Sequence, residues 1–403
     1  MRRLAWALML GLAFAIPWEY SLDLGPPLGN IARILGLVLL AAMAPAVLQS
    51  RGIRRLTALH WLVLALLVWL ALSSFWSIDR EATAFHFRGY LQEMMIAWFV
   101  WELTETPDEL RALLRCYVAG SCVLAMLTIA NFASADAAGQ IRFVAAGQDP
   151  NDVARFLDLG FPLGALLLSA PCRRMDKLLA MVYMPMGLIG VLLTASRAGF
   201  IAALVAMAGC GIMLARRRSR AVFGLGMALP AVLLAFWMTV PAGTIDRLLT
   251  IPQQLNGENL NQRLNIWSAG WLAFRHAPFV GSGAGTFVAA AGLAPVDTAH
   301  NTALAIAVEG GVIVLLLATA MVAVAGRSVL VLCGPARLAL GTAFLVWLVT
   351  SLVATVQENR TTWLLLGMIV AAERLAAEQP DEMEQVFPQP RLPESRAAET
   401  LCR

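Results

Sequence analysis

Charge is scarce in this sequence: 14% of its 403 residues are charged, against roughly a quarter in an average soluble domain, while 59% are hydrophobic. A mean hydropathy of +0.72 excludes a water-covered surface over most of the molecule and makes lipid its main solvent. Open sheets are excluded in turn, because their edges leave backbone groups unsatisfied in hydrocarbon, so an all-α, polytopic membrane bundle is expected. Lysine is almost absent, Lys177 being the only one, but the preference for arginine by itself argues no phosphate binding. The net charge of +4 comes from small basic clusters rather than one patch, so no nucleic-acid partner is expected. Cysteines are few: Cys116, Cys122, Cys210 and Cys333 lie in or beside apolar stretches, Cys172 in a basic loop and Cys402 near the C-terminus. None falls in a segment read as outward-facing, so no disulfide framework is expected, and no Cys/His spacing suggests a metal site. An internal repeat is also lacking, which weighs against an inverted-repeat transporter.

What is present is a succession of apolar windows separated by short polar breaks: 3–18, 28–48, 57–75, 89–103, 113–132, 153–170, 178–195, 198–215, 221–240, 301–325, 338–356 and 361–376. That gives about twelve transmembrane helices for a hydrocarbon core of about 30 Å. The first window resembles a signal peptide, with Arg2, Arg3 and Ala13-Phe14-Ala15, and is read as an uncleaved span. Basic clusters at Arg2 and Arg3, at Arg51, Arg54 and Arg55, at Arg173, Arg174 and Lys177, at Arg216 to Arg220, and at Arg327 and Arg337 fall on one side. By the positive-inside rule that side is cytoplasmic, as are both termini. The bundle is therefore residues 1–376, with one long extracytoplasmic loop at 241–300 and a disordered cytoplasmic tail at 377–403. A 60-residue connection between spans is far beyond usual lengths, and such loops are often functional.

Within the loop, Leu264, Trp267, Trp271 and Phe274 recur at helical spacing, predicting an amphipathic helix over 259–276 that lies at the membrane interface or packs on the bundle. The segment Pro278 to Phe287 carries three alternating glycines but no Lys-Ser/Thr, so it reads as a structural turn rather than a phosphate loop. His300 stands at the outer mouth of a span, where an imidazole titrates near neutrality. Arg197, in Thr194-Ala195-Ser196-Arg197-Ala198-Gly199, joins two windows with almost no polar linker, a costly place for a cation unless it is paired, hydrated or used. Arg263 is a second outward cation, with Arg142, Arg155 and Arg360 as weaker candidates. Together they suit a diphosphate, which guanidinium groups bind through forked hydrogen bonds.

Thr-Ala-Ser-Arg-Ala-Gly at 194–199, Arg263 followed by Trp267, the glycine segment, His300-Asn301 and Glu309-Gly310 resemble the O-antigen ligase and polymerase superfamily, as does the earlier Gln148-Asp149-Pro150-Asn151-Asp152. The resemblance implies a fold like that of C-type membrane glycosyltransferases. It also implies transfer of a glycan from undecaprenyl diphosphate to an acceptor hydroxyl at the periplasmic face of the bacterial inner membrane, with inversion and without metal or other cofactor. Arg197 and Arg263 would bind the donor diphosphate and His300 would be the general base, with Asn301 beside it a weaker candidate. Of the acceptors used in the superfamily, the lipid A core of an O-antigen ligase is preferred, given the compact length and single long loop. A carrier-linked glycan (polymerase) and protein Ser or Thr (O-oligosaccharyltransferase) remain the alternatives, and a transporter or flippase of lipid-linked glycans is the rival from another class.

Overall fold

The computed structural model describes residues 1–25, 29–49, 52–134, 140–169, 174–215, 230, 233–234, 236–250 and 262–389. The first half of the chain forms α1 (Arg2–Ala15), a 3-10 turn (Ile16–Ser21), α2 (Ile31–Gln49), α3 (Ala58–Ser73) and α4 (Arg80–Leu103). These are followed by α5 (Pro107–Ser134), α6 (Pro150–Ser169), α7 (Arg174–Leu193) and α8 (Arg197–Ala215). Among the described residues of the long loop are α9 (Ala242–Leu249), α10 (Arg263–His276) and α11 (Phe287–Ala290). The chain then runs through α12 (Thr302–Val331), α13 (Gly334–Ser351), α14 (Arg360–Glu378) and α15 (Pro380–Val386). Among the described residues there is no strand beyond an isolated Asp23–Asn30 bridge.

Among the described residues, six stretches are long and apolar enough to cross a bilayer: Arg2–Ser21, Pro107–Ser134, Arg174–Leu193, Arg197–Ala215, Thr302–Val331 and Gly334–Ser351. Helices α6 and α14 are not among them, because each carries charged residues. They are instead the most enclosed elements, buried continuously over Val153–Ser169 and Arg360–Ala372. α6 is wrapped by α5, α7, α8 and α13, and α14 by α4, α12, α13 and α5. Two of the charges there are paired, Arg155 with Asp152 at 2.6 Å and Arg360 with Glu19 at 2.5 Å, whereas Asp158 in α6 is fully buried with neither carboxylate oxygen hydrogen-bonded among the described residues. The window 221–240 lies mostly outside the described residues.

The two sets of connections separate to opposite ends. Arg2 pairs with Glu105 and Glu109, and Arg54 with Glu105, so the basic clusters and the mixed-charge linker after α4 meet at one end. At the other, Trp76 Nε1 donates to the Val280 carbonyl, Arg142 Nε to Thr194 and Asn301 Nδ2 to Leu352.

Two expectations need correction. The tail is ordered over its first residues: α15 packs on α5 and α14, and Met383 and Phe387 are buried, because the segment repeats apolar residues at helical spacing among its acids. Residues 390–403 lie outside the described set. Cys333, at the turn before α13, is disulfide-bonded, whereas Cys116, Cys122 and Cys210 are free. No Cys spacing announces that bond, since a lone pairing has no local pattern.

The glycine segment is structural. α12 breaks at Gly311, with φ 70° and ψ −170°, a backbone region open essentially to glycine alone. The break would orphan buried carbonyls, and the segment satisfies them: Ser282 and Gly283 N–H donate to Val308 and Glu309 at 2.9 Å, while Val312 N–H donates to Pro278 at 2.8 Å. Trp69 Nε1 takes the Gly310 carbonyl. A side chain at Gly281 would collide with the Glu309 backbone, which is why the segment lies so close.

Candidate functional site

At the end of the molecule that carries the long loop, a cavity of about 630 Å³ is lined by Arg142, Arg197, Arg247, Arg263 and His300, together with Asp149, Asn151, Asp152, Trp267 and Thr298. Five separate stretches of chain supply these groups, and each is fixed by its local chemistry.

Arg197 is the first residue of α8. The preceding turn puts Ala195 in the left-handed region, φ 47°, and Ser196 Oγ accepts the Gly199 N–H, ending α7 and starting α8 within three residues. Ser196 Oγ also donates to Asn151 Oδ1 at 2.8 Å, which ties the turn to the start of α6. Arg142 crosses the same turn, its Nε donating to the Thr194 carbonyl at 3.0 Å. α9 lies alongside: Arg197 Nε donates to the Arg247 carbonyl at 3.1 Å and Arg247 Nε to the Ala195 carbonyl at 3.2 Å. Arg197 Nη2 donates to Thr250 Oγ1 at 2.7 Å.

Arg263 opens α10, after Gln262 with φ 66°. The helix packs through Ile266, Gly270 and Ala273 against Phe287, Ala305 and Val308, and leaves Leu264, Trp271 and Leu272 exposed. Of the sequence stripe, Trp267 and Phe274 pack against this cluster while Leu264 and Trp271 stay exposed, and the glycine and alanine neighbours give the closer approach. Trp267 Nε1 donates to the Ala299 carbonyl at 3.0 Å, fixing the residue before His300.

His300 itself has φ 47° and sits one residue outside α12. Asn301 caps that helix, its side chain accepting the Leu304 N–H at 2.9 Å. The imidazole meets Thr298 Oγ1 at 3.2 Å. Burial and the Arg263 charge push His300 below its ordinary value of 6.5, against weaker opposing pulls from Asp149 and Asp297. The imidazole is thus held neutral near pH 7, the form that accepts a proton.

The arginines strain one another. Burial, then the Arg247 charge, lowers Arg142, against a pull from Asp149. Arg247 is lowered by burial and by Arg197, and Arg263 by burial and Arg197 against a pull from Asp149. Guanidinium groups nevertheless stay protonated. The result is a pocket of crowded cations with spare donors, suited to an anion rich in oxygen.

Of the residues singled out from sequence, Arg197, Arg263, Arg142 and His300 converge here. Arg155 and Arg360 do not line the cavity: each is buried in an ion pair. Asn301 is a helix cap and does not line it either. Sequence reading missed Arg247 and the acidic role of Asp149. The signal for Arg247 was a basic residue on the outward side, in the short apolar repeat Ile245, Leu248, Leu249.

Residues 180–319 match the family whose model is described as O-Antigen ligase, a stretch holding Arg197, Arg247, Arg263, the glycine segment and His300. No curated protein matches the chain.

Proposed function

Because residues 180–319 match the O-antigen ligase family model, we propose that the protein moves a glycan from undecaprenyl diphosphate to a lipid A core hydroxyl at the periplasmic face of the bacterial inner membrane. The observation that carries this reading is the convergence of four arginines and a histidine of lowered basicity in one cavity. In the proposed topology about twelve helices cross the membrane, both termini are cytoplasmic and the cavity opens outward.

The acceptor oxygen attacks the anomeric carbon of the donor sugar as its proton passes to His300. The bond from that carbon to the diphosphate oxygen breaks, and the diphosphate leaves with the electron pair. One displacement inverts the linkage. Arg197 and Arg263 hold the diphosphate and stabilise the charge that grows on it, a task a divalent metal performs elsewhere. The exposed apolar side of α10, Leu264, Trp271 and Leu272, rests in the headgroup region and guides the lipid-linked donor to the cavity.

The test is reconstitution of the purified protein in liposomes with chelator, lipid-linked glycan and one of three acceptors: core lipid, carrier-linked glycan or peptide. Transfer to core lipid is expected. Transfer only to another acceptor reassigns the enzyme within its superfamily, and glycan translocation without transfer makes it a transporter. Activity lost on chelation overturns the metal-free mechanism.

A further inference from the structure

Arg247 has no part in the resemblance from which Arg197 and Arg263 take their roles, yet the structure gives it the same position. α9 holds it at the cavity wall, tied to the turn before α8 by two Nε–H to carbonyl bonds, Arg197 to Arg247 and Arg247 to Ala195. That lock uses only the Nε edge. Among the described residues no carboxylate pairs with Arg247, and its Nη groups donate to no protein acceptor. A half-buried guanidinium placed against another and left without an anion is destabilised unless a ligand supplies one.

The charge of the whole cavity points the same way. Of the two lining carboxylates, Asp152 is held by Arg155 at 2.6 Å, so four guanidinium groups line the cavity with one acid, Asp149, that accepts the Asn151 N–H and makes no ion pair among the described residues. The surplus is three positive charges. A glycan-loaded carrier diphosphate is a diester with about two negative charges, whereas the freed carrier diphosphate ends in a phosphate monoester that carries nearly one more at neutral pH.

Resting on the proposed reaction, we propose that Arg247 is a third diphosphate-binding residue, and that with Arg142, Arg197 and Arg263 it matches the charge of the released carrier diphosphate rather than that of the loaded donor. The cavity then binds its product more tightly than its substrate. It stabilises the departing group as charge develops and gives it up slowly, so a following reaction that removes the terminal phosphate of the carrier sustains turnover.

The test measures binding to the detergent-solubilised full chain, by titration calorimetry, of farnesyl diphosphate and of the same compound with its terminal phosphate methylated, which removes one charge. The wild type is expected to bind the free diphosphate about tenfold more tightly than the methyl ester, the scale of one charge-assisted hydrogen bond. R247Q is expected to lose most of that difference and R247K to recover part of it, since lysine restores the charge but not the Nε bond to Ala195. Equal wild-type affinity for both compounds overturns the charge match. R247Q and R247K weakened equally show a prop for the Ala195 turn and overturn the ligand role, as does R247Q binding like wild type. These outcomes differ from failure of the proposed function, in which R197Q leaves the binding of either compound unchanged.

Discussion

His300 is aimed by its neighbours more than by its own side chain. Its left-handed backbone, the Asn301 cap after it and the Trp267 bond to Ala299 before it leave the ring little choice of place. Replacing His300 by alanine should lower kcat by about 10²- to 10⁴-fold, the usual worth of a general base, with donor binding retained. A variant of unchanged kcat would remove it from the mechanism. Since the base works when neutral, the rate should fall as pH drops through the His300 pKa. That lies below 6.5 because of burial and Arg263. In R263Q, measured at saturating donor, the acid limb of the pH profile should move upward as the repelling charge is lost. Trp267→Phe keeps the ring but loses its N–H donor, and should reduce kcat more than it raises KM.

At the scale of the element, α12 is two helices joined at Gly311 and held by the glycine segment. The broken turn leaves the Val308 and Glu309 carbonyls to the backbone of the glycine segment and the Gly310 carbonyl to Trp69. Gly311→Ala should destabilise the protein by about 1–3 kcal/mol, because alanine is poorly accommodated at that φ and ψ. Thermal unfolding in detergent would show a lowered Tm; an unchanged Tm would mean that α12 tolerates repacking here. Asn301→Ala removes a helix cap worth about 1 kcal/mol and should also loosen His300. In α10 the small residues Gly270 and Ala273 set the packing distance, so the tryptophan at 271 is left outside.

Over the whole molecule, the ion pairs of Arg2 and Arg54 with Glu105 gather one set of connections, and the cavity gathers the other. The sidedness proposed for them can be measured. Val296, 90% exposed at the cavity rim, and Ile53, 61% exposed at the opposite end, are suitable positions for a new cysteine. With the native cysteines replaced, V296C should react with a membrane-impermeant maleimide in intact spheroplasts and I53C only after permeabilisation. The reverse pattern would invert the topology and put the cavity on the cytoplasmic side.

Lipid is a demanding solvent, and so the sequence alone determined the all-helical class and most helix positions: a run of apolar residues has few other ways to satisfy its backbone. It also marked Arg197, Arg263 and His300, because polar groups on the outward side of such a chain stand out. Partnership was decided by tertiary structure. Arg155, Arg360, Arg142 and Arg247 look alike as outward arginines, yet Arg360 closes on Glu19, 341 residues away in the chain, while Arg142 and Arg247 face the cavity. Apart from Arg155, whose partner Asp152 lies one turn back on the same helix, no local pattern carries that difference, since it is settled only when α8, α9 and α14 have packed. Over its described residues the long loop is likewise less a loop than the helices α9, α10 and α11 with a glycine clamp, built by contacts with α8 and α12 that its own residues do not announce.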